Sequence, residues 1–246
     1  MLVGTGTAVN VATVLVGSGL GLLVGHRLPE RVRTTVTVAL GLVTLLIAAQ
    51  SAMDVDGAAL VDAVDRGAPT LVVLGSLAVG GILGAFARIE DRLEAFGAFL
   101  QRVLVRGDAG DSRFVEGFVI SSLVFCVGPL TVLGSINEGL GRGADQLLLK
   151  SALDGFASLA FAAAFGVGVM ASALSVGLVQ GSLTLLGLAL GSVLPEPHLL
   201  ALGATGGLLL VGVALRLLDV AKLPVADLLP ALVVAPLLTE LAIRVH

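Results

Sequence analysis

From Gly155 to Pro195 the chain carries no Asp, Glu, Lys or Arg. That is about twice the roughly 20 residues an α-helix needs to cross the hydrocarbon core of a bilayer. The stretch must therefore hold two crossings joined by a tight turn, expected near Ala173 to Ser175. Similar apolar runs recur along the chain and place spans at about 4–25, 32–53, 69–87, 114–136, 147–172, 175–194, 199–218 and 224–243. Transmembrane β-strands would instead alternate apolar and polar residues over about 10 positions, and no segment does so. Composition agrees: 57% of the 246 residues are hydrophobic, 13% are charged and the mean hydropathy is +1.07. A soluble domain carries roughly 25% charged residues. The fold class is all-α, a polytopic transmembrane bundle of about eight helices forming a single membrane domain.

Charge and motif content narrow the function classes. A net charge of −4 with no block of Lys or Arg argues against a nucleic-acid partner. The first ten residues hold no Lys or Arg, so they lack the basic region of a cleavable signal peptide and the first span is read as retained. The lone Cys126 excludes an internal disulfide. Ten Lys/Arg, including Arg27, Arg31, Arg33, Arg88, Arg216 and Lys222, fall on one side of an eight-span topology. Four (Arg66, Arg142, Lys150 and Arg244) fall on the other. The side rich in Lys and Arg faces the cytoplasm, which puts both termini outside it.

An internal repeat is visible at an offset of 166. LGLLVGHRLPE at Leu20 to Glu30 matches LGLALGSVLPE at Leu186 to Glu196 in seven of eleven positions. In both places the LPE tripeptide ends a span, where proline breaks a helix. Five spans separate the copies, an odd number, so the repeat has inverted topology. Repeat 1 covers about 1–106, with an amphipathic segment at 89–106 that lies on the membrane surface or docks as a stem on the other helices. Repeat 2 covers about 175–246. Glycines four apart (Gly17, Gly21 and Gly25; Gly80 and Gly84; Gly177 and Gly181; Gly187 and Gly191) read as close helix contacts.

The central hairpin, 114–172, has a different chemistry. All nine Phe lie between Phe86 and Phe165, and Gly128-Pro129 breaks the fourth span. Ser135, Asn137 and Glu138 follow the break, and Lys150 and Asp154 lie one turn apart near the start of the fifth span. Ionisable residues at membrane depth cost about 2.5–3.5 kcal/mol each and mark pathways or sites. Lys150 and Asp154 are also readable as an i,i+4 pair with a snorkelling lysine, and Glu138 as an outer-loop residue. Asn10 and Gln180 are uncharged polar residues inside spans one and six, fit either to tie helices together or to line a cavity with the hairpin.

GTAVN at Gly6 to Asn10, FVEGFVISSLVFCVGPLTVLGSINEGL at Phe114 to Leu140 and KSALDGFAS at Lys150 to Ser158 resemble the YdfK/YqgA family. This is a bacterial inner-membrane family grouped as a domain of unknown function, with some members called possible transport proteins. The resemblance spans nearly the whole chain and implies an inner-membrane location without supplying a substrate. The family pattern often has a small or sulfur-containing residue where Pro129 stands, so the kink departs from it.

The expectation is a secondary transporter or permease for a small polar solute or ion. Asp154 and Glu138 would take a cation or proton, while Asn10, Ser135, Asn137 and Gln180 would hydrogen-bond the solute, with Lys150 beside them. A channel, a non-transporting scaffold and a sensor remain open. No GxxxxGK[ST], HExxH or GxSxG motif occurs, so no enzyme activity, cofactor or metal site is expected. The bilayer and the solute are the expected partners, with a homo-oligomer left open.

Overall fold

The computed structural model describes residues 2–25, 29–64, 67–104, 112–127, 129–190 and 195–245. Among them every regular element is helical. The α-helices are α1 (Thr5–Gly25), α2 (Glu30–Ala52), α3 (Ala58–Val64), α4 (Ala68–Ala87), α5 (Ile89–Leu104), α6 (Ser112–Cys126), α7 (Pro129–Gly139), α8 (Asp145–Phe165), α9 (Gly168–Leu190), α10 (Glu196–Leu217) and α11 (Ala231–Val245). Short 3-10 turns at Met53–Asp56 and Val225–Leu228 precede α3 and α11. Among the described residues, seven segments are long and apolar enough to span a membrane. The bent pair Arg113–Cys126 and Leu130–Gly139, turned by 62°, brings the count up to eight. Gly128, the first residue of the expected break, lies outside the described residues, as do Leu28, Leu194 and Gly191.

The turn after the fifth span falls earlier than the sequence indicates. It is at Gly166, not near Ala173 to Ser175, and α9 is already helical from Gly168. Gly166 has φ +85° and ψ −153°, a positive-φ backbone conformation that glycine adopts without the steric cost of a side chain. Hydrophobicity is uniform across this stretch, so only the backbone conformation of one residue marks the turn.

The chain divides into two compact units. The first comprises residues 1–40, 93–126 and 130–193. Its main seam joins α1 to α8, and glycine makes it close. A β-carbon at Gly17 would overlap the Gly155 carbonyl oxygen, one at Gly21 would overlap that of Leu159, and one at Gly25 would lie 2.7 Å from Ala163 Cα. The paired residue numbers rise together, so the two helices run parallel. α9 crosses α1 the opposite way: Thr7 meets Thr184, Val11 meets Gly177 and Gly19 meets Met170. α6 runs parallel to α9, with Gly168 against Phe114 and Ser122 bonded to Ser175. The amphipathic segment α5 packs on α6: Phe96 stacks edge-on against Phe118 at 5.9 Å, and Gly97 abuts the same ring.

The second unit comprises residues 41–92, 127–129 and 194–246. In it α4 and α11 run antiparallel, where Gly80 and Gly84 let the chain at Ala231 and Asp227 approach. α2 and α10 run antiparallel too: Gly41 meets Leu217 and Leu218, and Gly207 meets Ser51 and Ala52. Glu90 ties the unit together by pairing with Arg216 and accepting from the Ala226 amide at 2.7 Å, while Asp227 accepts from the Glu90 amide at 2.9 Å.

Candidate functional site

The first unit buries a charged group at the seam of α1 and α8. Lys150 Nζ lies 2.5 Å from Asp154 Oδ2, and Asn10 Nδ2 donates to that same oxygen at 2.9 Å. Lys150 is 6% exposed, Asp154 7% and Asn10 0%. The spacing explains the pair, since residues four apart on a helix share a face. The burial excludes a lysine reaching out to the interface, so the snorkelling reading is corrected. α1 presses on α8 through glycines further along the seam and reaches the pair itself through Asn10.

Glu138 is likewise not an outer-loop residue. It sits near the end of α7, 3% exposed, with its carboxylate on the start of α1. The Gly6 amide donates to its Oε1, and the Thr7 amide and hydroxyl donate to Oε2 at 3.4 and 3.2 Å. Thr184 of α9 donates to Oε2 at 3.4 Å. The first turn of α1 has no acidic residue, and its leading N–H groups lack intrahelical partners. Glu138 satisfies two of them from another helix and complements the helix dipole. Leu147, one turn before Lys150, abuts the same Gly6, so the two acidic groups are stacked along α8.

Among the described residues of this unit, several buried polar atoms have no hydrogen-bond partner: Asn10 Oδ1, Ser18 Oγ, Ser135 Oγ and both amide atoms of Gln180. All four residues are 0% exposed. Each such group costs about 1–3 kcal/mol of desolvation, and an unsatisfied buried group in a native fold calls for an explanation such as a bound water or ion. The α1–α9 crossing sets Gln180 level with Asn10: Thr7 is beside Thr184 and Val11 beside Gly177. Asn137 is not brought to this group, because its amide donates to Gln146 Oε1 at 3.0 Å and ties α7 to α8. At the break before α7, the Thr131 hydroxyl donates to the Phe125 carbonyl at 3.2 Å.

Thr7, Ser18 and Thr184 were not legible as site residues. The available signal was spacing: Thr7 precedes Asn10 by three residues and Thr184 follows Gln180 by four, on the same helix faces. A separate groove of about 410 Å³ runs along the α1–α8 seam, lined among others by Val9, Val16, Gly17, Ser151, Gly155 and Phe156. Its lining is almost wholly apolar and suits lipid better than a polar solute.

Comparison with known proteins follows this architecture. A family model described as "Protein of unknown function (DUF554)" matches residues 5–240. The chain is 31% identical over 235 residues to "Uncharacterized protein YqgA" of Escherichia coli (strain K12), covering 94% of each chain. It is 27% identical over 231 residues to "Uncharacterized membrane protein YdfK" of Bacillus subtilis (strain 168), covering 94% of this chain and 93% of the relative. No solved structure matches. With its apolar helices, its buried ionisable hairpin and a match over nearly its full length, this chain belongs to the DUF554 family of membrane proteins.

Proposed function

We propose that the protein is a secondary transporter or permease for a small polar solute or ion, and not an enzyme. It would lie in the bacterial inner membrane with both termini outside the cytoplasm. The observation that carries this reading is the buried set of Lys150, Asp154 and Asn10, in a unit that also buries unpartnered polar atoms of Asn10, Ser18, Ser135 and Gln180. Stability alone does not account for such a set: apolar residues in the same places would avoid the desolvation cost. Intramembrane ionisable groups of this kind belong to substrate and ion paths.

The inverted repeat supports the same reading, because two halves of opposite orientation allow a site to open to each side in turn. Burial agrees in the first unit. Gly6, Asn10, Val14, Ser18 and Gly21 are buried on α1, and Ser172, Val176, Gln180, Thr184 and Gly187, each 166 further on, are buried on α9.

The test is flux in proteoliposomes across a panel of small ions and polar metabolites, with Asp154→Asn alongside. Saturable flux that Asp154→Asn abolishes is the expected result. Flux that never saturates would mean a channel, and no flux for any compound would leave a scaffold or sensor.

A further inference from the structure

Resting on that transport reading, we infer that Asp154 and Asn10 form a seat for a small monovalent cation, and that Lys150 is its tethered occupant. The seat is built from oxygen. Asp154 Oδ2 already receives a cationic donor at 2.5 Å, and Asn10, which fixes that carboxylate through its Nδ2, leaves its own Oδ1 without a donor. The Gln180 amide, level with Asn10 across the α1–α9 crossing, leaves both Oε1 and Nε2 unpartnered and can turn its oxygen to an occupant. A carboxylate with a neutral amide oxygen beside it is the kind of ligand set by which proteins replace the water of a hard cation.

Formal charge favours one class. Lys150, Asp154 and Glu138 are all buried in the first unit, formally one positive and two negative groups. One added monovalent cation makes the set neutral. A divalent cation would leave it at +1, and an anion would leave it at −2. Glu138 is already met by donors at the start of α1, and the formal charge that remains favours one positive occupant over a divalent cation or an anion.

Lysine is suited to yielding the seat, since its compact ammonium sits on a flexible four-carbon stem with three rotatable donors. Glu138 gives the displaced ammonium a second carboxylate toward the start of α8, held by Gly6 and Thr7 at the level of Leu147. The cation then enters as Lys150 leaves, and Asp154 is never stranded without a counter-charge.

Competition between Lys150 and the cation gives a readout that needs no transport. Thermal unfolding of the purified protein is followed in NaCl, KCl, LiCl and NH4Cl, with choline chloride holding ionic strength constant. One or more of these small cations should raise the melting temperature saturably over choline. If Lys150 fills the seat about nine-tenths of the time, Lys150→Met should lower the half-saturating concentration about tenfold. Asp154→Asn should remove the effect.

No cation-specific stabilisation of the wild type, or equal half-saturation with and without Lys150, overturns the inference. Should Lys150→Met fail to fold, Asn10→Ala supplies the second arm: several-fold weaker half-saturation is expected, and an unchanged value overturns the seat. Saturable flux without cation-specific stabilisation sinks the seat and spares the transporter; the reverse result sinks the transporter and spares the seat.

Discussion

Lys150 and Asp154 lie one turn apart on α8 with 2.5 Å between ammonium and carboxylate, and each is less than a tenth exposed. Removing one member strands the other. Lys150→Met or Asp154→Leu alone is expected to cost about 3–5 kcal/mol, while the double substitution should come within about 1 kcal/mol of wild type or exceed it. A double-mutant cycle by reversible unfolding in detergent measures the coupling. Additive single costs would show that the two charges do not depend on each other.

Gln180 separates a binding role from a packing role. Its amide is fully buried with neither atom bonded, so Gln180→Leu should raise stability by about 1–3 kcal/mol by deleting unsatisfied groups. The same change should lower solute flux. Gain of stability with loss of activity is the mark of a residue retained for function. A destabilised Gln180→Leu protein would mean the amide is satisfied by something structural.

The glycines divide into two kinds. Gly17→Val forces a side chain into the Gly155 carbonyl oxygen, and should cost at least about 1–3 kcal/mol through overpacking of α1 on α8. A β-carbon at Gly181, by contrast, would meet nothing within 4 Å. Gly181→Ala should therefore be neutral or stabilising by up to about 1 kcal/mol from helix propensity. Melting temperatures of the two variants check both expectations together.

Topology is testable at the two LPE segments. In a Cys126→Ala background, Glu30→Cys and Glu196→Cys place single thiols at exposed positions. A membrane-impermeant maleimide should reach Glu196→Cys from outside the cell and Glu30→Cys only after the membrane is opened. Labelling of both from the same side refutes the inverted repeat.

The membrane-helical class was determined by the sequence alone, because a bilayer demands long apolar runs with all backbone groups bonded internally, and such runs need no tertiary context to be recognised. Helix ends near charged loops followed from the same rule, and so did the pairing of Lys150 with Asp154, which is local to one turn. Tertiary structure decided the rest. Gly166 rather than Ser175 turns the chain, since hydropathy is flat where a single φ changes sign. Glu138 is buried because α1 needs an acceptor at its first turn, a requirement that lies 131–132 residues away in the chain. Asn10, Asp154 and Gln180 each look ordinary in their own helices. They become a set only where α1 crosses α9 and presses on α8, and local periodicity carries no information about which helices meet.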